Sequence, residues 1–375
     1  MIFLDNASTT KIDARILDSY SELLKKYFAN AASTHSLGNE VKELQEQARA
    51  QIARYFKRDK NDVIFTSGAT ESNNLALKGV AMSYARSGKH IITTTIEHSS
   101  VKETCEQLRS LFGYEITYLE PDKNGTISLE SVKSAIRPDT ILVSIMGVNN
   151  EIGSINDIYT ISKYIKEHSK ALVHVDAAQA LFKVQQDYSY CDLITVSAHK
   201  IYGLKGSGAL IKNKGVKLTP ILSGGGHEFG YRSGTSNYAT NIMLAKSIRL
   251  NVEEYETNHK HVQELHDYLY DYLAKQDKIQ INSPKDGSPY IVNFSIKGRP
   301  GATIAQALDQ QGIMVSVASA CSSNKSKPTN VVYKVFHDED LASGAIRVSF
   351  AKYTTLDEVK TFCTILTSLI QELRG

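Results

Sequence analysis

From residue 62 to residue 213 the chain alternates short, β-branched apolar runs with helical stretches, and this rhythm narrows the fold more than any other feature. Seven runs stand out: DVIFTS at 62–67, HIITTTI at 90–96, YEITYLE at 114–120, TILVSIMG at 140–147, ALVHVD at 171–176, DLITVS at 192–197 and GALIKN at 208–213. Several are apolar almost without interruption, which suits strands covered on both faces of a mostly parallel sheet. An α/β layer architecture with a seven-stranded sheet follows. A helix is predicted before the first run, because Val41, Leu44, Ala48, Ile52 and Tyr55 share one face of residues 41–55.

Beyond residue 250 the rhythm changes. A helical stretch over about 243–275 precedes strands at 279–282, 290–296 and 345–350, and a last helix is predicted over about 355–373. The expectation is a large domain at 15–255 and a smaller α+β domain built from 1–14 and 256–375. A formal net charge of +3 argues against a dedicated nucleic-acid binder. No apolar run reaches the roughly 18–20 residues a membrane helix needs, and the N-terminus meets Asp5 instead of a signal-peptide core. No membrane association and a cytoplasmic location are expected. The four cysteines, at 105, 191, 321 and 363, form no C-x-x-C pair, so neither a metal site nor a disulfide framework is expected.

Asp176 ends one apolar run and Lys200 follows another. In an open α/β sheet, ligands bind beyond the carboxyl ends of the strands, so both side chains can enter one crevice. That pair suits pyridoxal phosphate, an aldehyde that joins a lysine amine and needs a carboxylate at its ring nitrogen. Ser67 to Ser72, SGATES, reads as a strand-to-helix turn whose free N–H groups suit a phosphate, with Ala69 and Thr70 at the helix start. Ser197 and His199 flank Lys200 and add donors; His98 can stack on a ring and shuttle protons. Asn150 and Gln179 can bond a ring oxygen. Cys321 lies in SVASACSSNKSKPTN (316–330), a polar stretch where Lys325 and Lys327 favour a thiolate. Arg347 interrupts the run AIRVSF and needs an anion, either a substrate carboxylate or a structural acid. Each residue alone also has an ordinary reading, as cap, turn former or solvated charge.

Taken together and in order, the motifs are far more specific. DNASTT (5–10), SGATESNN (67–74), EHSSV (97–101), VNNEIG (148–153), HVDAAQ (174–179), SAHKIYGLKGSGAL (197–210), GGGHEFGYRSGT (224–235), SVASACSS (316–323) and IRVSF (346–350) resemble the cysteine desulfurases of the IscS and NifS kind. These are fold-type I PLP-dependent transferases of the class V aminotransferase group, and the resemblance spans nearly the whole chain. It implies removal of sulfur from L-cysteine to give L-alanine, with Cys321 taking the sulfur as a persulfide. Lys200 would hold the cofactor covalently and move the Cα proton, Asp176 would pair with the ring nitrogen, and His98 would stack on the ring. Gln179 and Asn150 would contact the ring oxygen; Ala69, Thr70, Ser197 and His199 would hold the phosphate. Arg347 and Asn150 would hold the substrate carboxylate. Thr235 would reach the phosphate in the partner subunit of a homodimer.

Two departures bear on the sulfur acceptor. NKSKPT (324–329) puts two lysines where related loops are more apolar, and no scaffold-docking extension follows the last helix. A dedicated acceptor, such as a ThiI-type tRNA thiolation protein, is therefore expected over an iron–sulfur scaffold. A third departure is Lys352, where the family commonly has arginine. A selenocysteine lyase, another class V aminotransferase, or a non-enzymatic interaction protein are the alternatives; a Rossmann oxidoreductase lacks G-x-G-x-x-G after the first strand.

Overall fold

The computed structural model describes residues 1–317 and 331–372. The chain opens with a two-residue strand β1 (Ile2–Phe3) and the helices α1 (Ala14–Lys26) and α2 (Ser36–Tyr55). The predicted rhythm then unfolds as β2 (Val63–Thr66), α3 (Ala69–Tyr84), β3 (His90–Thr94), α4 (Ser99–Phe112), β4 (Glu115–Leu119) and α5 (Leu129–Ala135). It continues with β5 (Thr140–Ser144), α6 (Ile158–His168), β6 (Leu172–Asp176), β7 (Leu193–Ser197) and β8 (Gly208–Lys212). Strands β2 to β8 form one seven-stranded sheet in the order β2-β8-β7-β6-β5-β3-β4. Only β8 runs antiparallel to its neighbours. Every residue of β2, β3, β5, β7 and β8 is buried, whereas β4 at the sheet edge is largely not. The mostly parallel sheet expected from the apolar runs is present, with helices on its faces.

Because β2, β3, β5, β6 and β7 run the same way, their carboxyl ends share one edge of the sheet. Thr66, Thr94, Ser144, Asp176 and Ser197 close these strands, so the loops that follow them gather on that edge.

A 37-residue helix, α7 (Tyr238–Ala274), follows. Its first half packs Leu244, Ala245 and Ile248 into the core of the large sheet. Its second half packs Val262, Leu265, Leu269 and Leu273 into a second core. The helix starts earlier than its apolar pattern indicated, because Asn237 caps it by accepting the Thr240 N–H.

The second core belongs to β9 (Ile279–Ile281), β10 (Ile291–Ile296), α8 (Gly301–Gln310), β11 (Ile313–Met314), β12 (Ser316–Val317), α9 (Val331–Phe336), α10 (Glu339–Ser343), β13 (Ala345–Ser349) and α11 (Leu356–Glu372). Strands β12-β13-β10-β9 make an antiparallel sheet. The amino terminus is stitched to this region: β1 pairs in parallel with β11, and Asp5 bridges to Ser349. Leu4 and Ala7 are buried in the same core. This stitching carries Ala7, Ser8 and Thr9 to the edge of the large sheet.

Candidate active site

A cavity of about 780 Å3 opens at the shared carboxyl edge. Asp176, the last residue of β6, is buried there. Its carboxylate accepts the Ala178 N–H at 2.9 Å and the Asn73 side-chain amide at 2.8 Å. Lys200 sits in the turn directly after β7, the strand beside β6. Its Nζ donates to the Ala7 carbonyl at 2.5 Å and the Ser8 carbonyl at 2.7 Å. Burial, and then the Arg347 charge, push this amine down to about 8, although Asp176 and Asp5 pull the other way. Lys200 is therefore close to a usable nucleophile at neutral pH.

His98 caps α4, its Nδ1 accepting the Ser100 N–H at 3.1 Å. With Nδ1 engaged as an acceptor, the neutral ring carries its proton on Nε2. Desolvation by the surrounding protein lowers its pKa, and neighbouring Lys200 and Lys102 oppose the pull of Asp176. Asn73 joins the two functional groups, bonding Asp176 and the Ser100 hydroxyl with the same amide nitrogen.

The turn between β2 and α3 has the shape of an anion cradle. Gly68 sits at φ 147° and gives α3 no side-chain cap, so the first N–H groups of the helix, from Ala69 and Thr70 onward, stay available. A Cβ on Gly208 would stand 2.6 Å from the Gly68 Cα, so glycine there lets the turn lie against β8. Beside it, the Ser197 hydroxyl is buried without a hydrogen-bond partner, and such an orphan calls for a ligand. His199 is next, and burial with nearby Lys200, Lys183 and Lys205 pushes its ring down to about 4. It is therefore neutral in the resting site.

On the opposite wall, Arg347 lies mid-strand in β13. It donates to the Asn150 carbonyl at 2.7 Å, and to Asp5 and the Ser8 hydroxyl at 2.8 Å each. Its Nε is buried and unpartnered. Asp5 pairs with this arginine as a structural acid would, and one donor is left over. Gln179 donates to the Ala7 carbonyl at 2.8 Å, and the Asn150 side chain lines the same cavity.

Ten of the twelve sequence-selected residues therefore line one cavity: Ala69, Thr70, His98, Asn150, Asp176, Gln179, Ser197, His199, Lys200 and Arg347. Thr235 does not line it. It is exposed in a turn anchored by Arg232, which donates to Glu71 at 2.8 Å while Glu71 accepts the Ser67 N–H. Cys321 lies outside the described residues; Ser316 and Val317, shortly before it, line the cavity.

Sequence reasoning missed three groups. Glu97 is buried in the cavity wall, accepts the Met146 N–H at 2.7 Å, and keeps one oxygen unpartnered. Burial, helped by Asp176, raises its carboxyl to about 8. Its only signal was a carboxylate at the end of an apolar run, next to His98. Lys183 is a buried lysine bonded to Gln179. Ala7 and Ser8 contribute through their backbone carbonyls, which no side-chain motif reveals.

The family model for aminotransferase class-V matches residues 2–362. The chain belongs to this family. It is 39% identical over 377 residues to the cysteine desulfurase IscS of Dictyoglomus turgidum, covering 100% of this chain and 95% of that one. Among solved structures it resembles a NifS-like protein with a TM-score of 0.92 and 33% identity, covering 99% of both chains. It also resembles SspA in complex with cysteine, with a TM-score of 0.83 and 30% identity over 95% of this chain and 100% of that one. Members are pyridoxal-phosphate enzymes with the fold-type I architecture, as is this chain. The donor set fits that cofactor: an amine with a lowered pKa, a buried carboxylate one strand away, an uncapped helix start and an orphaned hydroxyl.

Proposed function

We propose that the protein is a cysteine desulfurase, taking the sulfur of free L-cysteine and releasing L-alanine. The observation that carries this reading is the Lys200 amine, held by two backbone carbonyls one strand from Asp176, with Arg347 across the cavity. The IscS and NifS-like relatives, and the relative solved with cysteine, support the substrate.

When bound, pyridoxal phosphate supplies an electron sink for the pair released at the substrate Cα. Lys200 would hold the cofactor's aldehyde carbon until the substrate amine takes its place, and the freed lysine amine would then carry the Cα proton. Asp176 keeps a proton on the ring nitrogen, because a carboxylate at that position stabilises the positive charge. The Ser197 hydroxyl, the His199 ring and the first N–H groups of α3 at Ala69 and Thr70 hold the phosphate. Gln179 and Asn150 bond the ring oxygen. Arg347, with Asn150, holds the substrate carboxylate, using the Nε that lacks a partner. His98 stacks on the ring, with Nε2 free for proton transfer.

In the sulfur step the Cys321 thiolate attacks the substrate sulfur. A sulfur–sulfur bond forms at Cys321 and the Cβ–sulfur bond breaks. The bonding pair remains on Cβ and is protonated, which yields the methyl group of alanine. The persulfide then passes to an acceptor protein serving tRNA thiolation, of the ThiI type, or iron–sulfur cluster assembly. The enzyme works in the cytoplasm as a homodimer, Thr235 reaching the partner's cofactor phosphate. Residues 15–255 form its large domain, and 1–14 with 256–375 its small one. Among the described residues no helix is long and apolar enough to cross a membrane.

Mass spectrometry of the cysteine-treated holoenzyme tests this reading. One extra sulfur on the Cys321 peptide, with alanine released, is expected. Alanine formation continuing at the same rate in Cys321→Ser would remove the persulfide step.

A further inference from the structure

Behind the cavity wall lies a lysine that the chemistry above does not use. Lys183 is 5% exposed and has no carboxylate within ion-pair distance among the described residues. Its Nζ donates to Gln179 Oε1 at 2.5 Å. Between the two residues, Phe182 adopts φ 59°, a left-handed conformation that non-glycine residues rarely take. A buried amine without a counter-ion and a strained turn beside it are both costly, which points to a task at this spot.

The orientation of Gln179 supplies the task. The Ala7 carbonyl is only an acceptor, and it already takes Lys200 Nζ at 2.5 Å. The end of the Gln179 amide 2.8 Å from that carbonyl must therefore be its nitrogen. Gln179 Oε1 consequently turns toward Lys183, where only a donor is tolerated. Nε2 has two hydrogens, and among the described residues its one acceptor is Ala7 O. We propose that Lys183 is a positioning residue, locking the Gln179 amide so that its second N–H serves the ring oxygen of bound pyridoxal phosphate. This rests on the cofactor reading given above. Burial, with the nearby Lys200 and Arg347 charges, lowers the Lys183 pKa well below the ordinary lysine value. Even as a neutral amine it keeps N–H donors for Oε1.

The visible absorbance of bound pyridoxal phosphate, titrated against pH, reads this directly. A donor on the ring oxygen makes it a weaker base; without the donor the site holds its proton more tightly. Lys183→Met removes the donor at similar volume, and the midpoint is expected to rise by about one pH unit. Gln179→Leu is expected to move it equally, and the double variant no further than either single one. Lys183→Gln keeps a neutral donor and is expected to titrate within a few tenths of the wild type. An unmoved midpoint in Lys183→Met beside a moved one in Gln179→Leu would overturn the proposal, as would fully additive shifts. If Lys183→Met does not fold, Lys183→Gln decides: a full shift there overturns the proposal. A wild-type protein that takes up no pyridoxal phosphate would instead defeat the functional reading, and this inference with it.

Discussion

Two regions of the molecule bury lysines in opposite ways. At the junction of the N-terminal arm with the small sheet, Lys352 is only 6% exposed at its side chain and bonds Asp13 at 2.7 Å and Glu254 at 2.8 Å. Its ammonium also stands 4.7 Å from the Tyr202 ring and 5.2 Å from the Tyr353 ring. Arg15 completes the network on the same two acids. At the cavity Lys200 touches backbone carbonyls, and behind its wall Lys183 touches an amide; among the described residues neither has a carboxylate in contact. The contrast separates holding from reacting. Two acids and two aromatic faces grip Lys352 and make it a structural tie. Burial without an acid lowers the cost of losing the proton, and the amine becomes available for chemistry or for neutral hydrogen bonding.

The sharpest way to break this contrast is to remove each amine. Lys200→Ala is expected to lower alanine formation by at least ~10³-fold while leaving the unfolding midpoint near that of the wild type. Borohydride treatment should then fix no cofactor to the chain. Lys352→Met is expected to do the reverse. It leaves Asp13 and Glu254 with only the half-exposed Arg15 as counter-ion, at a cost toward the lower end of roughly 3–5 kcal/mol in urea unfolding. Activity at low temperature should persist. A loss of activity without a loss of stability in Lys352→Met would show that the tie is part of the machinery, and the distinction between the two lysines would fail.

The same contrast explains what was legible in the sequence. The strands were legible because burial on both faces leaves apolar runs that are short and rich in β-branched residues, as in TILVS at 140–144. Asp176 and Lys200 were legible because one ends such a run and the other follows one, and their common sheet edge follows from parallel strands. Helix α1 went unread although Ile16, Tyr20, Leu23 and Leu24 recur at helical spacing on one face, so its signal was present in the sequence. The parallel pairing of β1 with β11 involves two residues on each side and depends on contacts more than 300 positions apart. For that reason the carbonyls of Ala7 and Ser8 could not be foreseen, although DNASTT was noticed. Lys183 and Lys352 look alike as letters; only the groups folded around them give one an amide partner and the other two carboxylates. Glu97 shows the limit again, because a carboxyl raised to about 8 by burial has the same letter as an exposed one.

The smallest effect tests the physical origin of the contrast itself. In the cofactor-free protein, the Lys200 amine must lose its proton before its lone pair can attack an aldehyde. With that amine lowered to about 8, mostly by burial, the free fraction grows about tenfold per pH unit below 8 and saturates above it. The rate of pyridoxal-phosphate uptake, followed by visible absorbance in stopped flow, is expected to rise in that way and level off above pH 8. The sign follows from the lowered value: an ordinary lysine would keep the rate climbing to about pH 10. Arg347→Met removes the cation that adds to the burial effect, so the break should move to higher pH without disappearing. A break unmoved in Arg347→Met would assign the lowering to burial alone, and a rate still climbing tenfold per unit at pH 9 in the wild type would put Lys200 in the same class as Lys352.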